Sequence, residues 1–304
     1  MPKKLKPALS RLTSIATAKS KMPHSLEIVR TVANLRAKTA AWRADGLSIG
    51  LVPTMGALHD GHFSLVDQST RSTDRTITTL FVNPKQFGPN DDLDVYPRDE
   101  EADAKALEAR GVDLLFAPIV AEMYSEGSVT AISVPGIGDV LEGAFRPGFF
   151  TGVATVVAKL LVQAMPDRAF FGEKDFQQLA VIRRMTEDLD IPVEIVGCPI
   201  IREADGLALS SRNAYLSSEE RTNAVALSIA LAEIAEKISG GAAIEDTINV
   251  AKAELLNAGF TKVDYLVVCD PVSLAALEIV SGNAQVLGAA WMGKTRLIDN
   301  KTVG

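Results

Sequence analysis

Two of the three histidines, His59 and His62, lie three residues apart in the stretch Leu51-Val-Pro-Thr-Met-Gly-Ala-Leu-His-Asp-Gly-His-Phe-Ser-Leu-Val66. Ser48 to Val52 reads as a buried strand, Pro53 to Leu58 as the turn leaving it, and Gly61 onward as a helix with His62 in its first turn. A strand, a tight loop and a helix N-terminus offer backbone N–H groups and the positive end of a helix dipole, which suits a polyphosphate. Imidazoles at i and i+3 face the same side. Gly56 and Gly61 allow a close backbone approach where a Cβ would obstruct it. A zinc site would need other ligands, yet HDGH lacks the HExxH spacing, the remaining histidine is His24, and Cys198 and Cys269 stand far apart. A purely structural pair, each ring capping or packing a turn, stays open at this point.

Three further segments carry polar chemistry. Asn83-Pro-Lys-Gln-Phe-Gly88 follows an apolar run, so Asn83 and Gln86 are expected on a strand-end loop, or in an ordinary Asn-Pro turn. Gly172-Glu-Lys-Asp-Phe-Gln-Gln178 repeats the pattern: Lys174 would reach phosphates, Asp175 would fix a ribose or orient Lys174, and Gln178 lies one turn on. The alternative is a helix start with acidic first-turn residues. Ala208-Leu-Ser-Ser-Arg-Asn213 offers two hydroxyls and a guanidinium for phosphate, or is a solvated loop. Four such segments in this order, the first three after strands that a parallel sheet would align, favour a nucleotide site.

Strands are expected at Ser48 to Val52, Thr76 to Val82, Val112 to Phe116, Arg168 to Phe171 and Val193 to Val196. Helices are expected near Leu26 to Ala44, His62 to Ser72, Asp99 to Arg110, Gly152 to Met165 and Asp175 to Leu189. That alternation implies an α/β fold with a Rossmann-like doubly wound parallel sheet, whose ligands bind at the carboxyl ends of the strands. Gly111 stands where a helix C′ glycine belongs. After about residue 200 the pattern becomes helices at Ser217 to Ser239 and Ala243 to Ala258, then short strands at Asp264 to Val268, Gln285 to Ala290 and Thr295 to Ile298. This reads as a smaller C-terminal α+β domain, 201–304, following a nucleotide-binding domain, 24–200. Ser217-Ser-Glu-Glu220 is a capping-box signature, and Gly240-Gly241 separates the two helices.

At 304 residues and 47% hydrophobic content the chain can build a large core. A net charge of -7 argues against a broad nucleic-acid surface and for small-molecule substrates. Two cysteines give no disulfide framework, which suits a reducing, cytoplasmic location. The apolar stretch Val153 to Met165 contains Lys159 and Gln163 and is too short to span a bilayer. Residues 1 to 23 are basic without acids and lack a secretory h-region; a disordered extension is expected, with an organellar transit peptide as the alternative.

From about residue 24 to 304 the sequence resembles the pantothenate synthetase (pantoate/β-alanine ligase) family of HxGH nucleotidyltransferases. The resemblance rests on Pro53 to His62, Phe81 to Phe87, Tyr96-Pro-Arg98, Phe171 to Gln178, Leu209 to Asn213 and Thr295 to Asn300. It implies that ATP and (R)-pantoate give pantoyl adenylate and pyrophosphate, after which β-alanine displaces AMP. It also implies Mg²⁺ and a homodimer. Carried onto this sequence, it gives Met55, Gly56, Ala57, Leu58, His59, Asp60, Gly61 and His62 to the ATP site, together with Gly172, Glu173, Lys174, Asp175, Ile201, Leu209, Ser210, Ser211 and Arg212. His59, His62 and Lys174 stand as catalytic. Gln86 and Gln178 hold pantoate, Gln86 also serves β-alanine, and Asp103 falls near Lys174 and the metal. Asn83 and Arg146 join the substrate residues on their own chemistry. The sequence departs from the family at Phe149, where a histidine is expected. Competing readings are another HxGH adenylyltransferase, disfavoured by the paired glutamines, and a non-catalytic nucleotide-binding protein, favoured by Phe149 alone.

Overall fold

The computed structural model describes residues 25–88, 93, 96 and 98–304, so the basic segment 1–23, His24 and Pro97 lie outside the described residues. Six parallel strands form the main sheet: β1 (Glu27–Val29), β2 (Ile49–Thr54), β3 (Arg75–Leu80), β4 (Leu114–Phe116), β5 (Arg168–Gly172) and β6 (Glu194–Cys198), in the order β1-β4-β3-β2-β5-β6. Covering and connecting them are α1 (Val32–Ala44), α2 (Asp60–Ser72), α3 (Glu100–Ala109), α4 (Val120–Met123), α5 (Glu142–Phe145), α6 (Phe149–Ala164) and α7 (Phe176–Asp188). The chain builds outward from β2 on one side and then returns to start β5 on the other, pairing Gly50 with Arg168 and Leu51 with Ala169. The winding direction therefore reverses between β2 and β5, which opens a crevice at their carboxyl ends. The strands expected from sequence at 48–52, 76–82, 112–116, 168–171 and 193–196 are all present, shifted by a residue or two.

The C-terminal part comprises α8 (Ser218–Asn223), α9 (Val225–Ser239) and α10 (Ile244–Asn257), packed on an antiparallel sheet β7 (Phe260–Cys269), β8 (Ala284–Met292) and β9 (Thr295–Val303). Ser217 and Glu220 make the expected capping box, and Gly111 closes α3 at φ 74°. The fold class read from the sequence therefore holds.

Three expectations need correction. Leu26 to Val29 is not the start of the first helix but includes the edge strand β1, because three residues pair in parallel with β4 and Thr31 then caps α1 by accepting from Asn34 N–H. The helix expected over Ser217 to Ser239 is divided at Ala224. The last three strands are about twice their expected length, since Lys262, Arg296, Asp299 and Lys301 interrupt apolar runs that the ladder carries through.

α6 is buried on most of its circumference, including Val153, Ala154, Val157 and Leu161, and fills the core against α1, α7 and the sheet. No helix among the described residues is long and apolar enough to cross a membrane. The helix also approaches the loop after β3 closely: a Cβ on Gly152 would lie 2.2 Å from the Lys85 carbonyl oxygen. Gly152→Ala must displace that loop, and the expected overpacking cost is about 1–3 kcal/mol. A lowered thermal unfolding temperature checks this; an unchanged one would mean that α6 does not press on the loop.

Candidate active site

A cleft of about 800 Å³ opens at the carboxyl ends of the parallel strands and runs beneath β9. Its floor is the turn after β2. Gly56 and Ala57 adopt left-handed backbone, φ 93° and 53°, a conformation that costs Ala57 free energy. Asp103 of α3 stabilises it. Its Oδ2 accepts from Ala57 N–H and its Oδ1 from Leu58 N–H, both at 3.0 Å. Burial pushes the Asp103 carboxyl up from its ordinary pKa, partly offset by these two amides.

Next comes His59, the N-cap of α2, whose Nδ1 accepts from Gly61 N–H at 3.1 Å. His62 Nδ1 accepts from His59 N–H at 3.4 Å, completing a capping box made of two imidazoles. Gly61 is required because a Cβ there would lie 2.8 Å from the His59 ring. The rings sit 4.2 Å apart. With each Nδ1 an acceptor, the hydrogen-bond pattern assigns the proton of each neutral ring to Nε2, a donor facing away from the turn. Burial lowers the pKa of His59, with Lys174 adding to the effect. It lowers His62 further, to about 3, with the His59 ring also contributing.

Around this pair the cleft wall brings together most of the residues expected from sequence: Met55, Gly61, Gln86, Arg146, Gly172, Lys174, Asp175, Gln178, Ile201, Leu209, Ser210, Ser211 and Arg212. Leu209 is placed by its N–H to Ile201 carbonyl bond at 3.0 Å, and Ser210 Oγ accepts from Arg212 N–H.

Other expected residues stand behind the wall. Asn83 is buried: its Oδ1 accepts from Lys85 N–H and from the Tyr124 hydroxyl, and its Nδ2 donates to Gly152 carbonyl and Gln86 Oε1. Its amide is thus fully used inside the protein, and it orients Gln86 rather than reaching the cleft. Gln86 Nε2 also contacts Met55 sulfur at 2.9 Å. Ala57 and Leu58 shape the floor through the Asp103 contacts instead of offering free amides, and Gly56 through its left-handed backbone. Asp60 is exposed and faces Arg110. Glu173 contributes its carbonyl, which accepts from Asn300 Nδ2 at 2.8 Å. Asp103, expected near a metal, has each oxygen accepting one amide of the turn. Among the described residues no three His, Cys, Asp or Glu side chains gather to hold a metal ion.

Sequence reasoning assigned no role to Asn300 or Gln177. Asn300 Nδ2 holds the Glu173 and Lys174 carbonyls, while Gln285 donates to its Oδ1, so β9 fixes the loop carrying Lys174. Gln177 borders the cleft with its amide engaged inside the protein, accepting from Glu142 N–H and donating to the Ile137 and Val140 carbonyls. The only sequence signals were an amide beside Gln178 and one in a polar strand end. Phe149 lines the cleft, and the Arg146 guanidinium stacks on its ring at 3.9 Å.

Residues 27–302 match the family model described as pantoate-beta-alanine ligase. The chain belongs to the pantoate–β-alanine ligase family. Pantothenate synthetases of Paramagnetospirillum magneticum and Caulobacter vibrioides are 57% and 55% identical to this ligase, over 92% and 91% of its chain and 98% of each of theirs. The crystal structure of pantothenate synthetase from Thermus thermophilus is similar at a TM-score of 0.85 and 46% identity, over 91% of this chain and 99% of that one. That of pantoate-beta-alanine ligase from Francisella tularensis, complexed with beta-gamma ATP and beta-alanine, gives 0.73 and 33%, over 91% and 97%.

The depressed His62 pKa has a measurable sign. An unfolded histidine titrates near about 6.5, whereas in this ligase His62 stays neutral down to about pH 3. Between those values the unfolded chain takes up the proton first, so His62 makes the fold lose stability as pH falls. NMR titration of the imidazole protons should place the His62 midpoint far below the ordinary value, at about 3; a midpoint at the ordinary histidine value would contradict this geometry.

Proposed function

We propose that the cleft performs an ATP-dependent condensation in two steps. A pantoate carboxylate oxygen attacks the α phosphorus of ATP, forming pantoyl adenylate and releasing pyrophosphate; the amine of β-alanine then attacks the acyl carbon, forming pantothenate and releasing AMP. A carboxylate is a poor electrophile, so adenylation must precede amide formation. The observation that carries this reading is the pair of neutral imidazoles with Nε2 free, beside Lys174 at the reversal point of the sheet. The Francisella relative, solved with an ATP analogue and β-alanine, supports it.

In this reading His59 and His62 donate Nε2–H bonds to phosphate oxygens as charge develops on the leaving pyrophosphate. Neutral rings with low pKa values make better fixed donors than proton sources. Lys174, Ser210, Ser211 and Arg212 neutralise the remaining phosphate charge, while Met55, Ile201 and Leu209 pack against the nucleotide. Gln86 and Gln178 hold pantoate, and Gln86 and Arg146 face the β-alanine position. Asn83 and Asp103 work through what they orient. Mg²⁺ enters as part of MgATP: such an ion takes its ligands largely from phosphates and water, which suits a site whose nearby Asp103 is committed to two amides.

The division into a nucleotide-binding domain, 24–200, and a lid domain, 201–304, belongs to this proposal, with Ile201 and Leu209 to Arg212 closing over ATP. So do the homodimer and the cytoplasmic location, both supported by the family resemblance. Pyrophosphate release should depend on pantoate, and pantothenate should appear by mass analysis only after β-alanine is added. His62→Ala should lower the adenylation rate about 10²-fold or more. Pantoate-independent release, or a variant within twofold of wild type, would refute the assignment.

A further inference from the structure

A second charged cluster lies in the cleft away from the histidines. Glu142 on α5 is buried, and its carboxylate meets two guanidiniums. Arg146 Nη1 stands 3.5 Å from its Oε1, and Arg296 Nη1, from β9, donates to its Oε2. Arg296 Nε donates to Asp264 Oδ2 at 2.7 Å, and the Trp291 indole N–H reaches the same oxygen at 3.0 Å. Lys262 Nζ lies 2.8 Å from the other Asp264 oxygen. A continuous chain of side chains thus runs from the cleft floor through Glu142 into the C-terminal sheet.

Several features set this apart from an ordinary stabilising bridge. A buried ion pair contributes little net stability compared with apolar residues of similar volume, so stability does not explain its presence. Its near end is fixed with unusual care: Gln177 accepts the Glu142 N–H, and Arg146, stacked on Phe149, also donates to the Gln86 carbonyl at 3.4 Å. The residue so restrained adjoins Gln86, whose side chain faces the cleft. At the far end, Arg296 Nη2 is buried with no hydrogen-bond partner among the described residues.

We propose that Glu142 is a positioning residue which, by sharing its carboxylate between Arg146 and Arg296, sets the Arg146–Gln86 end of the cleft and ties it to the C-terminal sheet. Without Glu142, Arg146 loses its carboxylate contact on α5 and Arg296 loses its link across the cleft, so the bound acid no longer stands in line with the α phosphate. Misalignment of this kind affects the chemical step more than nucleotide binding. Lysine cannot replace Arg296, because one ammonium does not offer the two separated N–H directions that reach Glu142 and Asp264 together. The proposal rests on the ligase activity.

The test uses the full chain in a Trp42→Phe background, which leaves Trp291 as the sole tryptophan of the two. Wild-type-like protein should release pyrophosphate with pantoate and MgATP, and pantoate should change Trp291 fluorescence through the Asp264 and Arg296 contacts. Glu142→Gln should lower kcat about tenfold or more while KM for ATP stays within twofold, and should abolish the fluorescence response. Arg296→Lys, which keeps the charge, should do the same and supplies the answer if Glu142→Gln does not fold. Either variant folding with unchanged kcat and fluorescence response would overturn the proposal, as would a parallel rise in KM for ATP. A background protein that releases no pyrophosphate would instead refute the ligase activity, and the proposal with it.

Discussion

The two bonds from the turn after β2 to the Asp103 carboxylate fix the rest of the site. A left-handed glycine followed by a left-handed alanine is a backbone that the chain would otherwise leave, at a cost of about 1–3 kcal/mol for the alanine alone. Two amides on one buried carboxylate offset that cost, since bonds to an ionised acceptor are the stronger kind. Once the turn is set, His59 falls at the N-cap of α2 and His62 one turn in, and each ring is oriented by a backbone N–H. An acidic residue on a separate helix, more than forty positions on, therefore decides where the imidazole donors point.

The opposite wall depends on the C-terminal strand in the same indirect way. β9 sends Asn300 to the carbonyls beside Lys174 and Arg296 to Glu142. Asp299, its neighbour, holds Arg202 through two bonds of 2.6 and 2.9 Å, fixing the start of the segment that leads to Ser210 and Arg212. Three consecutive parts of the cleft are thus registered against one strand, so the smaller sheet is part of the site's framework and not an appendage to it.

Much of this was legible in the sequence where local rules act alone. The strand-to-helix glycines around His59, the C′ glycine at Gly111 and the Ser217 capping box each depend on a few adjacent residues. Three-residue β1 did not announce itself, because its partner β4 lies far along the chain and its helix-like neighbours dominate the pattern. Among site residues, type and spacing could not separate Asn83 from Gln86, two amides on one loop. Only the approach of Gly152 and Tyr124 shows that the first is consumed internally and the second is presented. Nor could the sequence show that the Asp103 carboxylate accepts the Ala57 and Leu58 amides, because they lie far from it along the chain. Arg296 and Asn300 appeared as interruptions of an apolar strand because partners of each, Glu142 on α5 and the Glu173 and Lys174 carbonyls after β5, lie more than a hundred residues back along the chain.

The closed hydrogen bonds of the turn carry one more consequence. A nest of open amides would grip a free anion as firmly as one still attached to its substrate. Here the N–H groups of Ala57, Leu58, His59 and Gly61 already have acceptors within the protein. In the proposed reaction the hold on a departing anion therefore falls to side chains such as Lys174 and Arg212, which can swing with it toward solvent. In the proposed two-step reaction turnover gains from this weakness: the leaving group finds an exit while the activated acyl group stays behind for its second partner.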